Sequence, residues 1–357
     1  MWLGKLEVRD LRRIREASVE MEPGLNVFVG RNAQGKTSLL EAVGLLARGR
    51  SFRTEDTRAL IRHGAGGLLA RGCAHQDERS SELEIELSAQ ARRLKVDGRE
   101  VAPRSYHGRL EAVVYSTDRL RVVRGPMRER RAFVDRGAAA LWPSYRQALR
   151  DYERVVLQRN AALLAATPDQ AAWDERFLAL GADLRRRRAV YVERLRQALR
   201  REPFAPAGER FDIGLGANGE GGGEDAHRER LRRDMETSRR EERGARRSLV
   251  GPHRDPVALT VDEQEAGEVA SSGQARSLLL AVALAALAVY REERGTSAVA
   301  LLDDLDSELD EERAAALCQE VARRGQALVT TAHPDWARRL GTPARLFEVV
   351  DGRVRAA

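Results

Sequence analysis

The sequence predicts an α/β protein in which one strand-and-helix domain is interrupted by a largely helical second lobe. Three observations lead there. Short β-rich runs occur near both ends of the 357-residue chain. Between them, from about Pro126 to Arg201, glycine becomes scarce and Ala, Leu, Arg and Gln dominate at helical spacing. The length is long for one hydrophobic core and short for three. The expected division is 1–125 as the first part of the α/β domain, 126–247 as the inserted lobe, and 248–357 as the domain's second part.

In chain order, Leu25-Asn26-Val27-Phe28-Val29 is a β-rich run ending at Gly30, and a helix is predicted from Thr37 to Ala47 with Leu39, Leu40, Val43 and Leu46 on one side. Leu83 to Leu87 alternates with period two, as a half-exposed strand does, and Val113-Val114-Tyr115 is a further short strand. Tyr145-Leu149-Tyr152-Val156 and Val190-Arg194-Leu195 have helical spacing, with a break at Thr167-Pro168-Asp169. Residues 214–223, GLGANGEGGG, predict a loop, and the charge run 227–247 has a solvated helix as its default. From Leu249 the strand-and-helix texture returns, and no fixed-period repeat is visible.

Composition narrows the class. Apolar residues make up 42% and charged residues 33%, which suits a soluble, highly charged protein. Cys73 and Cys318 stand far apart with no partner at metal-ligand spacing, which excludes a disulfide scaffold or a Cys-rich zinc module and fits a reducing interior. The first ten residues carry charge at positions 5, 7, 9 and 10, unlike a signal peptide. The longest apolar run, Leu278 to Tyr290, falls short of the roughly 20 residues a membrane span needs. A cytoplasmic location without membrane attachment is expected. The net charge is +7, and all but Lys5, Lys36 and Lys95 of the 62 basic residues are arginine. That balance admits an anionic partner, and it is equally what an arginine-preferring genome places on ordinary helix faces.

The strongest motif is Gly30-Arg31-Asn32-Ala33-Gln34-Gly35-Lys36-Thr37, a full match to G-x-x-x-x-G-K-[ST] between a predicted strand and a predicted helix. Glycines there let backbone N–H groups converge on phosphate oxygens, and the helix N-terminus adds a favourable partial charge. Lys36 would reach the β- and γ-phosphates of ATP, and the Thr37 hydroxyl would ligate Mg²⁺. The second motif is Val299-Ala300-Leu301-Leu302-Asp303-Asp304, a continuously apolar strand ending in two carboxylates. Asp303 would hold the Mg²⁺ shell and Asp304 would orient or deprotonate an attacking water; alone, the string is equally a strand ending in a solvated Asp turn. Ala270-Ser271-Ser272-Gly273-Gln274-Ala275-Arg276 opens an apolar helix running from Ser277 to Tyr290, a ready anion site. After the carboxylates come Ser307-Glu308-Leu309-Asp310, and the strand Ala327 to Thr330 delivers His333, placed to contact a γ-phosphate. A single histidine is more often structural than catalytic.

The order of these pieces resembles the ABC-type ATPases and, within them, the heads of SMC and double-strand-break repair proteins. That resemblance implies an ABC-type ATPase head carrying the helical lobe. It also implies that Ser271, Ser272, Gly273 and Gln274 complete the site of a second subunit, with Ser307 and Asp310 at the dimer contact, so that two heads enclose two ATP molecules. The stretch Ser38 to Thr54, Tyr115 to Leu120 with Arg130 to Asp135, and Leu249 to Asp255 (LVGPHRD) narrow the resemblance to the RecF recombination-mediator family. Two departures stand out: Ala270 and Ser272 replace the Leu and first Gly of the wider signature, and Asp304 replaces its Glu. A metal-sensing glutamine is not assignable; Ser116-Thr117-Asp118 occupies its place. The shorter base implies slow hydrolysis, a switch more than a motor.

The RecF resemblance further implies sequence-independent binding of double-stranded DNA, an ATP-dependent homodimer, and action with RecO and RecR to load RecA at gaps, in DNA repair, replication and the SOS response. Arginine clusters at Arg119 to Arg131, at Arg185 to Arg188 and at 228–247 supply guanidinium groups without base-reading motifs. Arg124, Arg128, Arg130 and Arg131 are taken as the candidate DNA contacts. The alternative is an SMC-like tethering ATPase of chromosome maintenance, which calls for sustained heptads that the insert lacks. A transporter ATPase subunit and an ATP-gated nuclease fit less well: one needs a coupling glutamine segment, the other a second His/Asp metal cluster.

Overall fold

Leu25–Val29 is apolar at every position but Asn26 because it lies in the middle of a sheet covered on both faces, and the buried Asn26 side chain is satisfied by the Glu22 N–H and carbonyl. The computed structural model describes residues 1–165, 170–201, 208–216, 219, 221–305, 311–340 and 343–357. Contacts divide the chain into one unit of Met1–Leu120 with Tyr290–Ala357 and a second of Arg121–Val289.

In the first unit, the sheet around Leu25–Val29 has the strand order Arg353–Ala356, Ala344–Val350, Leu25–Val29, Ala327–Thr331, Val299–Leu302, Ala112–Tyr115. All pairings are parallel except the antiparallel hairpin at the 353–356 edge. A second sheet is wholly antiparallel and includes Trp2–Leu11, Ile14–Glu20, Gly67–Gln76 and Arg79–Ser88. Trp2–Leu11 alternates polar and apolar along much of its length, with Leu6 and Val8 buried and Lys5 and Arg9 exposed, as a one-sided strand must. The helix Lys36–Arg48 places Leu39, Leu40, Val43 and Leu46 in a core that also takes Leu6, Val8 and Ile85 from the antiparallel sheet and Phe28, Val299 and Leu328 from the parallel one.

The second unit contains the helices Met127–Leu141, Pro143–Ala165, Gln170–Arg201 and Glu224–Ala245, and a small sheet of Phe211–Leu215, Val257–Val261 and Gln264–Glu265. The charge run 227–247 is helical as far as Ala245, with His227, Leu231, Met235 and Glu242 buried on one face rather than solvated all round. The glycine run expected as a loop over 214–223 begins inside a strand, since Gly214 pairs with Ala258. The expected break at 167–169 lies outside the described residues.

Contacts also move the division of the chain. Residues 248–289, expected with the α/β domain's second part, group with the helical unit. Val257–Val261 pairs with Phe211–Leu215, and Arg185 grips Asp255 through Nη2 at 2.6 Å and Nε at 2.7 Å. The LVGPHRD segment serves the same closure: Gly251 has φ +116°, and a Cβ there would meet Tyr152 Oη and Phe177 Cζ at 2.6 Å. The helix Ser272–Arg294 is, by length and composition, apolar enough to cross a membrane over an 18-residue window, longer than the uninterrupted run suggested; 61% of that window is buried inside the protein, the condition of a core helix.

Candidate nucleotide site

Register brings the motifs together. In parallel strands every carboxyl end emerges at one edge, where ligands of such sheets gather. Leu302 pairs with Tyr115 on one side and Val329 on the other, so Asp303 comes level with Ser116 and Thr330. Val29 pairs with Thr331, so Gly30 starts the loop at the same edge, where its N–H donates to the Thr331 carbonyl at 3.2 Å.

Three hydroxyls converge on Asp303. Thr37 Oγ1 donates to its Oδ1 at 2.9 Å, Thr330 Oγ1 to the same oxygen at 2.7 Å, and Ser116 Oγ to Oδ2 at 3.1 Å. The carboxylate is only 4% exposed. Burial pushes its pKa above the usual carboxylate range and neighbouring Asp304 adds to this, while the hydroxyl bonds oppose it. Asp304 has left-handed backbone, φ +49°, and its N–H donates to Thr330 Oγ1 at 2.9 Å. Thr330 Oγ1 therefore links the Asp304 backbone N–H to the Asp303 carboxylate.

Lys36 is buried, its Nζ donating to the carbonyls of Gly30 at 2.7 Å and Arg31 at 3.2 Å. Gly30 and Gly35 are required for different reasons: a Cβ at Gly30 would lie 2.3 Å from the Val349 carbonyl oxygen, whereas Gly35 has φ +108°. Among the described residues, nothing accepts from the N–H groups of Ala33, Gln34 or Gly35. A cradle of unspent amides, a lysine folded over it, and a hydroxyl beside a buried carboxylate fit a triphosphate with a divalent ion. Lys36, Thr37 and Asp303 are the residues that would hold them.

His333 reaches the same edge but is exposed, with its N–H donating to Thr331 Oγ1 at 2.9 Å. Ser307 and Asp310 lie outside the described residues. In the second unit, Ser271, Ser272 and Gly273 are exposed, and Ser271 with Gln274 forms a reciprocal cap: Gln274 N–H donates to Ser271 Oγ at 3.1 Å and Ser271 N–H to Gln274 Oε1 at 2.8 Å. The signature turn is therefore the first turn of the helix Ser272–Arg294, which starts five residues earlier than the apolar pattern indicated.

The arginines separate sharply. Arg130 is not a surface contact: it is 5% exposed, donates to the carbonyls of Val122, Val123 and Val257, and pairs with Glu265. Arg185 and Arg188 are likewise buried in ion pairs with Asp255 and Asp135. Arg131 donates to the Asp255 carbonyl at 3.1 Å and Arg124 to that of Ala270 at 2.9 Å, whereas Arg128 is exposed, 3.8 Å from Glu129. Arg239, Arg240, Arg243, Arg246 and Arg247, near the end of Glu224–Ala245, are exposed and have no ion pair among the described residues. Thr330 was missed in the sequence because a hydroxyl in an apolar strand gives no local sign of its partner.

This sheet, with its phosphate loop and carboxylate strand on one edge, defines an ABC-type ATPase head. The family model of the RecF/RecN/SMC N-terminal domain matches residues 2–354. The DNA replication and repair protein RecF of Symbiobacterium thermophilum is 37% identical over 369 residues, spanning 99% of this chain and 98% of that protein. The one from Synechococcus sp. (strain JA-3-3Ab) is 35% identical over 348 residues, spanning 93% and 92%. A solved structure of the recombination mediator RecF with ATP, from the RecFOR pathway, superposes with TM-score 0.90 at 25% identity, over 100% of this chain and 97% of that one. The Smc head of Pyrococcus furiosus, at 15% identity and TM-score 0.59 over 100% and 96%, shares the fold. The chain belongs to the RecF family.

Proposed function

We propose that this protein is an ATP-dependent, double-stranded-DNA-binding recombination mediator, in which ATP joins two heads and slow hydrolysis releases them. The observation that carries the reading is the meeting of Thr37 and Asp303, 266 residues apart, at 2.9 Å beside the phosphate loop. Lys36 neutralises the β- and γ-phosphates, Thr37 and Asp303 hold Mg²⁺, Asp304 orients the attacking water, and His333 contacts the γ-phosphate. Mg²⁺ supplies charge neutralisation at the phosphates. The residues 1–120 and 290–357 serve as the ATPase head and 121–289 as its second lobe. Ser271 to Gln274 close the pocket of a second copy, with Ser307 and Asp310 at that contact. The homodimer clamps duplex without reading sequence and acts with RecO and RecR.

Light scattering with Mg²⁺ and ATP, against ADP, tests this. The wild type shifts from monomer to dimer with ATP, and because shared ATP favours the dimer by mass action the shift depends on concentration. Lys36→Met and Asp303→Asn weaken it, and Asp304→Asn accumulates the dimer because only water activation is lost. A wild type that neither binds ATP nor dimerises with it defeats the reading.

A further inference from the structure

The phosphate loop is gripped from behind by a turn 317 residues further along the chain. Val350 pairs with Arg353, leaving Asp351 and Gly352 as a two-residue hairpin turn with φ +49° and +72°, both positive as the primed turns demand. Asp351 N–H donates to Gln34 Oε1 at 2.6 Å, and Gly352 N–H donates to the Gln34 carbonyl at 3.0 Å. From the turn between the first two strands, Arg13 Nη1 donates to the Ala33 carbonyl at 3.1 Å. The two turns also touch each other: a Cβ on Gly352 would lie 2.8 Å from the Arg13 carbonyl oxygen, so only glycine fits.

Peptide planarity turns these contacts into an orientation. In a trans peptide the C=O and the following N–H point in opposite directions, and no peptide here is cis. With the Gln34 carbonyl captured by the hairpin, the Gly35 N–H must face away from it. With the Ala33 carbonyl captured by Arg13, the Gln34 N–H is turned in the same manner. These amides have no acceptor among the described residues, and they lie between Ala33 at φ +65° and Gly35 at φ +108°, the alternation of an anion-binding nest. Were either peptide to rotate, a carbonyl oxygen would replace an N–H and repel phosphate.

We infer that the Asp351–Gly352 turn, together with Arg13, is a positioning device that fixes the Ala33–Gln34 and Gln34–Gly35 peptides in the anion-receptive orientation. It rests on the reading of residues 30–37 as a phosphate site. It acts through the loop alone.

Gly352→Val and Gln34→Leu test it in the full chain, with Lys36→Met as the control for the nucleotide reading. Binding of a fluorescent ATP analogue and hydrogen exchange without nucleotide are the two measurements. Both variants are expected to weaken binding by roughly five- to tenfold, the worth of one hydrogen bond. Exchange should quicken within 30–37 while strands 25–29 and 327–331 keep wild-type rates. Gln34→Leu, on a half-exposed loop, keeps the test open should Gly352→Val fail to fold. The inference is overturned if both variants bind within twofold of the wild type while Lys36→Met does not. It is equally overturned if exchange rises in the two strands as much as in the loop, which would make the turn a general support of the fold. Absence of ATP binding by the wild type would defeat the nucleotide reading alone; slower loop exchange in the wild type than in Gln34→Leu would still uphold the positioning role, and equal rates would end it.

Discussion

Arg159 spends its whole guanidinium inside the helical unit: Nε on Asp174 at 2.7 Å, Nη1 on Ser248 Oγ at 2.7 Å and Nη2 on Glu242 at 2.6 Å, with the Phe177 ring 4.9 Å away. Glu242 is 1% exposed. Removing one member of such a pair strands the other's charge out of water, whereas removing both removes the problem. Arg159→Met should therefore cost about 3–5 kcal/mol in urea unfolding, and adding Glu242→Met should recover a large part of that. A double variant no more stable than Arg159→Met would show that the pair is not what holds this core. Arginine identity was plain in the sequence, but its role was not. Arg130 and Arg128 are two residues apart, yet one is buried on three carbonyls and the other exposed, because helical geometry turns them to different faces. With 59 arginines in the chain, no local signal separates those that bind the protein from those left to solvent.

At the level of elements, the parallel strand ends carry the residues of the candidate site, and their sequence positions were legible. The phosphate loop is a contiguous motif, and a carboxylate pair closing an apolar strand has one place to go in such a sheet. Thr330, Ser116 and the hairpin turn were less legible because their importance lies in register, which pairs Leu302 with Val329 and Tyr115, and in the meeting of segments far apart in sequence. Helix starts show the same limit: the apolar pattern begins at Ser277, but the cap is made by Ser271 and Gln274. That cap supplies a control on the signature's proposed role. Ser271→Ala should cost about 1 kcal/mol of stability through removal of the cap, and Ser271→Asp should retain it. Ser271→Arg should leave ATP binding by the single subunit mostly intact and abolish ATP-dependent dimerisation, measured by sedimentation. Full dimer formation in Ser271→Arg, with Ser271→Asp equally competent, would remove the signature from the partner's pocket.

Over the whole molecule, the longest described helix, Gln170–Arg201, has 32 residues, or about 48 Å at 1.5 Å per residue. This falls well short of the sustained coiled coil a tethering protein uses, and so favours the clamp over the tether. The exposed arginines without an ion pair among the described residues, Arg239, Arg240, Arg243, Arg246 and Arg247, are the better candidates for duplex phosphates than the buried Arg130. Arg243→Gln combined with Arg246→Gln and Arg247→Gln should weaken duplex binding alike across sequences. The slope of log affinity against log salt should become shallower by roughly one for each phosphate that is no longer neutralised. An unchanged slope would place the DNA on another face of the protein.

The position of Leu25–Val29 between Ala327–Thr331 and Ala344–Val350 has a consequence for how the chain is made. A strand translated near the start waits for neighbours whose codons lie some 300 positions downstream. At ~5–20 residues per second that interval is on the order of 15–60 s, during which an apolar edge stays unpaired on the ribosome. Closure of such distant partners is also intrinsically slow. The meeting of Thr37 with Asp303 can likewise be completed only after most of the chain has been made.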